Sequence, residues 1–182
     1  MNGTEENRKE QHKLLFDVRR SVRYHTRRRQ YFDRLNKFTK IFTLIGGLGT
    51  VTTLLAKGGE VLTLFFGTVA GFFSIVDIVL GTDEMAQMHG DLMREFNTIE
   101  IGMVLVGDNL TAEQIVKFTA RRLEIEAKEP PKLQVLDVIC YNELVKAMGY
   151  PKSYQSKPLS WPQKFFAPAL DIFPGRLEKQ ES

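Results

Sequence analysis

The chain has a single cysteine, Cys140. No internal disulfide can form, and a zinc site built from several cysteines is excluded. Cys140 itself is expected as a small buried hydrophobe rather than a reactive thiol. Histidine is nearly as scarce. His12, His25 and His89 are too few and too scattered for a metal-site motif, so no metal is expected; only His25 and His89 fall at positions that a helical stalk would bring together. There is no G-x-x-x-x-G-K-[ST] phosphate loop and no H-E-x-x-H pair. Gly46-Gly47-Leu48-Gly49 is glycine-rich, but it lies inside an apolar run whose amides, in a helix, are not free to cradle a phosphate. No nucleophile–base pair is visible. The chain is read as having no catalytic residues and no cofactor, and as not being an enzyme. Glycine and proline are missing from residues 4 to 45, so nothing there stops a helix. The first 37 residues are polar, which excludes a cleavable secretory signal.

What the chain does have is two apolar runs, FTKIFTLIGGLGTVTTLLA and VLTLFFGTVAGFFSIVDIVL, separated by Lys57-Gly58-Gly59-Glu60. Each approaches the roughly 20 apolar residues that cross a bilayer as a helix. The mean hydropathy of −0.20 conceals them because the rest of the chain is polar. Net charge is +3, but unevenly placed. From Arg8 to Lys40 there are twelve Lys or Arg against three acids; from Gly81 to Leu105 there are five acids and one base, Arg94. A basic flank marks the cytoplasmic side. Both termini are therefore expected in the cytoplasm, with the Lys57–Glu60 turn on the far side. Arg27, Arg28, Arg29 and Arg34 are assigned to topology and lipid headgroups. They lack a recognition motif for nucleic acid, which is not expected as a partner.

The apolar positions Leu14, Leu15, Val18, Val22, Phe32, Leu35 and Phe38 recur at helical spacing before the first run, and Met85, Met88, Leu92, Phe96, Ile99 and Met103 after the second. Both helices are predicted to continue without a break into a cytosolic stalk, each arm about 45 residues and roughly 68 Å long. A turn centred on Gly58–Gly59 places Lys40 level with Asp77 and Arg34 level with Asp83. Thr111 and Gln114 form a capping box. A helix is predicted from there to about Ala127, and another from Leu133 to Ala147. Four of the seven prolines and the only Trp fall in the tail from Lys152 onward, where Trp161 to Phe173 is expected as a short helix or strap, packed on the protomer or lying at a membrane interface.

The predicted fold is therefore an all-α membrane protein, a long antiparallel helical hairpin with two transmembrane helices and a small cytosolic helical cap. Its parts are a disordered lead over 1–9, the hairpin over 10–106 with spans at about 38–56 and 61–80, two cytosolic helices over 107–150 and a tail over 151–182. Gly46, Gly67 and Gly71 are candidates for close helix packing, Gly67 and Gly71 forming a GxxxG step. Asp77, Lys40, Thr50, Thr53 and Ser74 are candidates for a pore lining or a hairpin lock. A carboxylate inside a span is costly and faces protein or water. Asp77 either pairs with Lys40 or joins a ring at a pore mouth. The hydroxyls either line a wet pore or bond their own helix carbonyls.

Three stretches resemble the SLATT family, the SMODS and SLOG-associating two-transmembrane effector domain proteins. They are the Arg- and Tyr-rich segment Arg23-Tyr24-His25-Thr26-Arg27-Arg28-Arg29-Gln30-Tyr31-Phe32-Asp33-Arg34, the closely spaced pair of runs, and Arg121 to Pro131 (RRLEIEAKEPP). Cys140-Tyr141-Asn142-Glu143-Leu144 is also similar. The resemblance covers about Leu14 to Phe173. It implies a bacterial inner-membrane protein, a homo-oligomeric pore-forming or channel-like effector of a conflict or defence system, triggered from the cytosolic side. It also implies a nucleotide-sensing or signalling partner protein, since the family is often encoded beside one; this chain carries no recognisable sensor domain, which argues against direct nucleotide gating. The competing reading is a membrane-anchored scaffold whose cytosolic stalk and cap bind a partner protein.

Overall fold

The computed structural model describes residues 2–156 and 158–171, and every element among them is helical. The helices are α1 (Asn2–Leu55), α2 (Glu60–Leu80), α3 (Thr82–Val106), α4 (Ala112–Glu126), α5 (Gln134–Ala147) and α6 (Trp161–Phe166), with a 3₁₀ turn at Lys152–Tyr154. Two of the helical stretches are long and apolar enough to cross a membrane.

Two of the sequence expectations about helix ends are corrected. Helix α1 starts at Asn2, within the predicted disordered lead; Glu5 lies in its first turn, where the helix dipole favours an acid. The second arm is not one uninterrupted helix. Gly81 closes α2 in the left-handed region at φ 53°, ψ 46°, donating its N–H to the Asp77 carbonyl. The Met85 amide then donates to the Gly81 carbonyl at 2.9 Å, so α3 resumes at once. Only a residue without Cβ takes this conformation cheaply.

The chain divides into two compact units, residues 29–88 and residues 1–28 with 89–182. In the first, α2 has no buried residue. Its apolar side chains face outward, Val61 at 84 % exposure and Ile78 at 80 %, as do Leu48 and Leu54 of α1. The buried positions here include polar ones, Asn36, Thr39, Thr53 and Thr82. The second unit has the opposite arrangement. Val18, Tyr24, Phe96, Ile125, Leu136, Cys140 and Leu144 are buried, and charged pairs surround them. Asp17 binds Arg122 at 2.7 Å, Arg19 binds Glu100 at 2.7 Å and Arg20 approaches Asp137 at 3.5 Å.

Within the second unit the Thr111–Gln114 capping box starts α4. Helix α5 has no side-chain cap of its own at Leu133. Asp171 substitutes from the tail, accepting the amides of Gln134 at 2.8 Å and Val135 at 3.0 Å. A carboxylate satisfies two orphan donors there and meets the positive end of the helix dipole. Ala167 joins the buried cluster of Tyr24, Val135, Leu136 and Cys140. The predicted strap is thus a short helix packed on this unit; Ile172 and Phe173, at the end of that segment, and the rest of the tail lie outside the described residues.

Candidate functional site

In the unit of residues 29–88, α1 and α2 meet through small and hydroxylated residues whose numbering runs in opposite directions from the Gly58–Gly59 turn. Thr53 accepts from the Thr63 hydroxyl at 3.0 Å, and Thr43 and Ser74 hydroxyls lie 3.4 Å apart. The closest approach is at Gly46. A Cβ there would stand 2.7 Å from both the Ala70 amide nitrogen and the Phe66 carbonyl oxygen. Gly49, part of the glycine-rich run noted in the sequence, is filled by the Phe66 ring, 2.4 Å from where its Cβ would be. Gly67 is in ordinary contact with Thr50 at 3.7 Å, and Gly71 meets nothing within 4 Å. Of the three predicted packing glycines, then, Gly46 brings backbones together, Gly67 contributes modestly, and Gly71 packs against nothing within the protomer.

Asp77 sits between the two helices, but not opposite Lys40. Its Oδ1 accepts from the Thr39 hydroxyl at 3.1 Å and from the Thr82 hydroxyl. Thr39 is fully buried and also reaches the Asn36 carbonyl at 3.0 Å. Lys40 is exposed, and no ion pair joins it to Asp77 among the described residues. The predicted register is right to within a residue; the partner is wrong because neighbours on a helix point about 100° apart. Arg34 likewise does not meet Asp83, which accepts instead from Asn36 at 3.2 Å and Gln87 at 3.3 Å. Two hydroxyls thus converge on one oxygen of the Asp77 carboxyl, with the single hydrogen of Thr39 shared between that oxygen and the Asn36 carbonyl.

The other hydroxyls are used locally. Thr50 donates to the Gly46 carbonyl at 2.8 Å, Thr52 to Leu48 at 2.8 Å, and Thr53 to Gly49 at 2.9 Å. Thr50, Thr53 and Ser74 are therefore spent on their own helices or on each other. The arginine run, read from the sequence as a topology and lipid-headgroup feature, is also engaged with protein. Arg27 donates to Glu143 at 2.5 Å, Arg28 donates to the Pro168 carbonyl at 2.5 Å, and Arg29 approaches Asp33 at 3.5 Å. Arg34 is exposed.

The second unit holds a buried titratable cluster. His25 and His89, both fully buried, bring their Nδ1 atoms to 2.9 Å. His25 Nε2 lies 3.1 Å from Glu129 Oε1, and Lys132 reaches Glu129 Oε2 at 2.9 Å. Phe96 stacks on His25, with centroids 5.6 Å apart and planes 12° from parallel. Burial opposes ionisation of Glu129, yet the hydrogen bonds from His25 and Lys132 hold its carboxyl below the ordinary range. An ionised Glu129 requires His25 Nε2 to carry the proton it donates. One hydrogen fits between the two facing Nδ1 atoms; two do not. Burial, His25 and Arg28 together lower the His89 pKa to about 3. The sequence brought the two histidines together, but Glu129 was not legible, because it sits in the α4–α5 connection. Burial pushes the Cys140 thiol up to about 12, consistent with an inert packing residue. Among the described residues no group of three His, Cys, Asp or Glu is placed to hold a metal ion.

No protein-family model, curated protein or solved structure matches the chain.

Proposed function

We propose that the chain is a membrane-embedded two-helix hairpin that assembles with copies of itself into a pore-forming or channel-like effector of a bacterial inner membrane. The observation that carries this reading is the inverted arrangement of residues 29–88, where most large apolar side chains of the two apolar runs are exposed while Asn36, Thr39, Thr53 and Thr82 are buried and Thr39 and Thr82 bond Asp77 between the helices. In water such a surface is far more apolar than a soluble monomer tolerates; in lipid it is the low-energy arrangement. The basic flank before the first span supports cytoplasmic termini. The likeness to SLATT proteins supports an effector role in a conflict system and a signalling partner on the cytosolic side.

Assembly is supported by small residues that have no use within the protomer. A Cβ at Gly47 or at Gly71 would meet nothing within 4 Å, and small outward positions are where membrane helices approach one another. Asp77, Thr50, Thr53 and Ser74 lock the hairpin in this reading, and the assembly face is that of Gly47 and Gly71. Ion or dye flux from liposomes tests it. Wild-type protein leaks when triggered, and Gly71→Leu inserts with the same helix content but leaks at least tenfold less. Flux that is absent from inserted wild-type protein under all conditions removes the pore reading.

A second reading, the membrane-anchored scaffold, is favoured by one observation: every predicted lining group except Lys40 is hydrogen-bonded inside the protomer. It expects substitutions in the unit of 1–28 and 89–182 to abolish activity while Gly71→Leu is silent.

A further inference from the structure

Helix α6 is held rigidly and yet presents its largest side chains to the outside. Ser160 and Gln163 form a capping box at its start. Ala167 is buried, Pro168 accepts from Arg28, and Asp171 is pinned to α5. On the opposite side Trp161 is 73 % exposed and Phe165 64 %, their rings stacked with centroids 5.6 Å apart. Phe166 and Leu170 are also exposed. Trp161, Lys164 and Phe165 stand three and four residues apart, hence on one face of the helix.

Beside this face lies a recess of about 590 Å³ lined by Arg27, Glu143, Lys152, Gln155, Ser156 and Lys164, among others. Arg27 is paired with Glu143. Lys152 and Lys164 have no carboxylate within 4 Å among the described residues, and both are exposed. The surface therefore combines an aromatic edge, of the kind favoured at the level of lipid headgroups, with two unmatched cations next to a polar recess. An anionic phospholipid meets both features at once, with a phosphate for the lysines and an acyl boundary for the rings.

We infer that α6 and the Lys152/Lys164 recess form an interfacial binding surface for anionic phospholipid, with the headgroup phosphate between the lysines and Trp161 and Phe165 at the acyl boundary. The inference rests on the membrane reading above. It adds a second, peripheral lipid contact made by the unit that does not carry the spans, and lets lipid composition set the docking of that unit.

Trp161 is the only tryptophan, so the intrinsic emission of the full chain reports on this surface alone. The full chain is reconstituted into vesicles of phosphatidylcholine, with or without phosphatidylglycerol, and with acyl chains brominated or not. Emission is expected to shift to the blue and to be quenched by bromine only when phosphatidylglycerol is present. Lys152→Gln with Lys164→Gln removes about 1 kcal/mol per lysine near an anionic surface, which lowers the docked-to-free ratio about thirtyfold. Phe165→Ser weakens quenching without altering the dependence on phosphatidylglycerol. Alkaline extraction of the same vesicles reads insertion separately. A chain that resists extraction but keeps a water-exposed, unquenched Trp161 overturns the inference and leaves the two-span reading standing; a chain that washes off overturns both. A blue shift without bromine quenching assigns the face to a second copy, and an emission change caused by inorganic phosphate alone in detergent assigns it to a soluble anion; either overturns the lipid assignment. So does quenching that survives the double lysine change.

Discussion

Residues 29–88 and the unit built from 1–28 and 89–182 use the same kind of helix for opposite purposes. In the first, Val61, Ile75 and Ile78 are outside while Thr39, Thr53 and Asn36 are inside; in the second, Phe96, Ile125 and Leu136 are inside and Arg19, Arg122 and Glu100 are at the rim. On the membrane reading proposed above, the difference is one of driving force. Water rewards burial of apolar surface at about 25 cal/mol per Å², which suits the second unit. Where lipid is the solvent that reward vanishes, and close packing at Gly46 with hydrogen bonds such as Thr39–Asp77 is what remains to hold helices together.

The comparison can be broken at its strongest point by matched truncations. Phe96→Ala empties a fully buried site and should cost about 3–5 kcal/mol; Ile78→Ala, on the outward face, should change stability by under about 0.5 kcal/mol. Urea unfolding in detergent, followed by circular dichroism, compares the two. Equal losses would mean that residues 29–88 bury apolar surface as the other unit does.

Gly46→Leu is expected next in size. Overpacking costs about 1–3 kcal/mol when side chains can give way, and here the obstacle is the Ala70 and Phe66 backbone. A cysteine pair at Thr43→Cys and Ser74→Cys, in a Cys140→Ala background, should cross-link efficiently, and adding Gly46→Leu should abolish the cross-link. Gly71→Leu should leave it intact.

The His25–His89 pair sharpens the contrast, because it is the unit of 1–28 and 89–182 that, among the described residues, buries a pair of histidines. With the folded His89 pKa lowered to about 3 against an unfolded value near 6.5, the unfolded chain binds the proton first as pH falls. Stability from this residue is complete above pH 6.5 and is lost progressively from there down to about 3. Between pH 6.5 and 5 the loss should be about 2 kcal/mol. His89→Gln, which does not titrate, should flatten that part of the difference curve in stepped-pH urea titrations. A wild-type profile that already matches the variant would mean that His89 titrates normally.

A last comparison separates two accounts of Asp77. Removing its charge-assisted bonds in Asp77→Ala should cost about 1–3 kcal/mol and reduce the Thr43/Ser74 cross-link, whereas Lys40→Ala should leave both unchanged. An equal loss from Lys40→Ala would restore the ion-pair reading.

Much of this was legible without coordinates, and the failures have local causes. A turn centred on Gly58–Gly59 placed Asp77 level with Lys40, one residue from the Thr39 that bonds it, because register follows from chain length alone once the turn centre is known. Azimuth does not follow. Lys40 lies beside Thr39 in sequence and about 100° away around the helix, so the level of Asp77 was read correctly and its partner was not. Gly81 reads as one more small residue in a helical period, yet its left-handed geometry ends α2. The glycine-rich run containing Gly49 did not reveal its partner, since the ring that fills Gly49 belongs to Phe66 on the other helix. Arg27 and Arg28 look like a solvated cluster until Glu143 and Pro168, more than a hundred residues later, take up their hydrogen bonds.

By itself, the sequence determined the helical class, the two apolar stretches, the turn between them and the charge asymmetry across them, because periodicity, helix breakers and hydropathy are properties of neighbours in the chain. The tertiary structure alone decided which small residues are spent inside the protomer and which are left over, that Asp77 is held by hydroxyls, that Glu129 completes the histidine pair, and that Asp171 caps α5. Each of those depends on the direction in which a side chain leaves its helix and on residues distant in sequence, and neither is encoded in a local pattern.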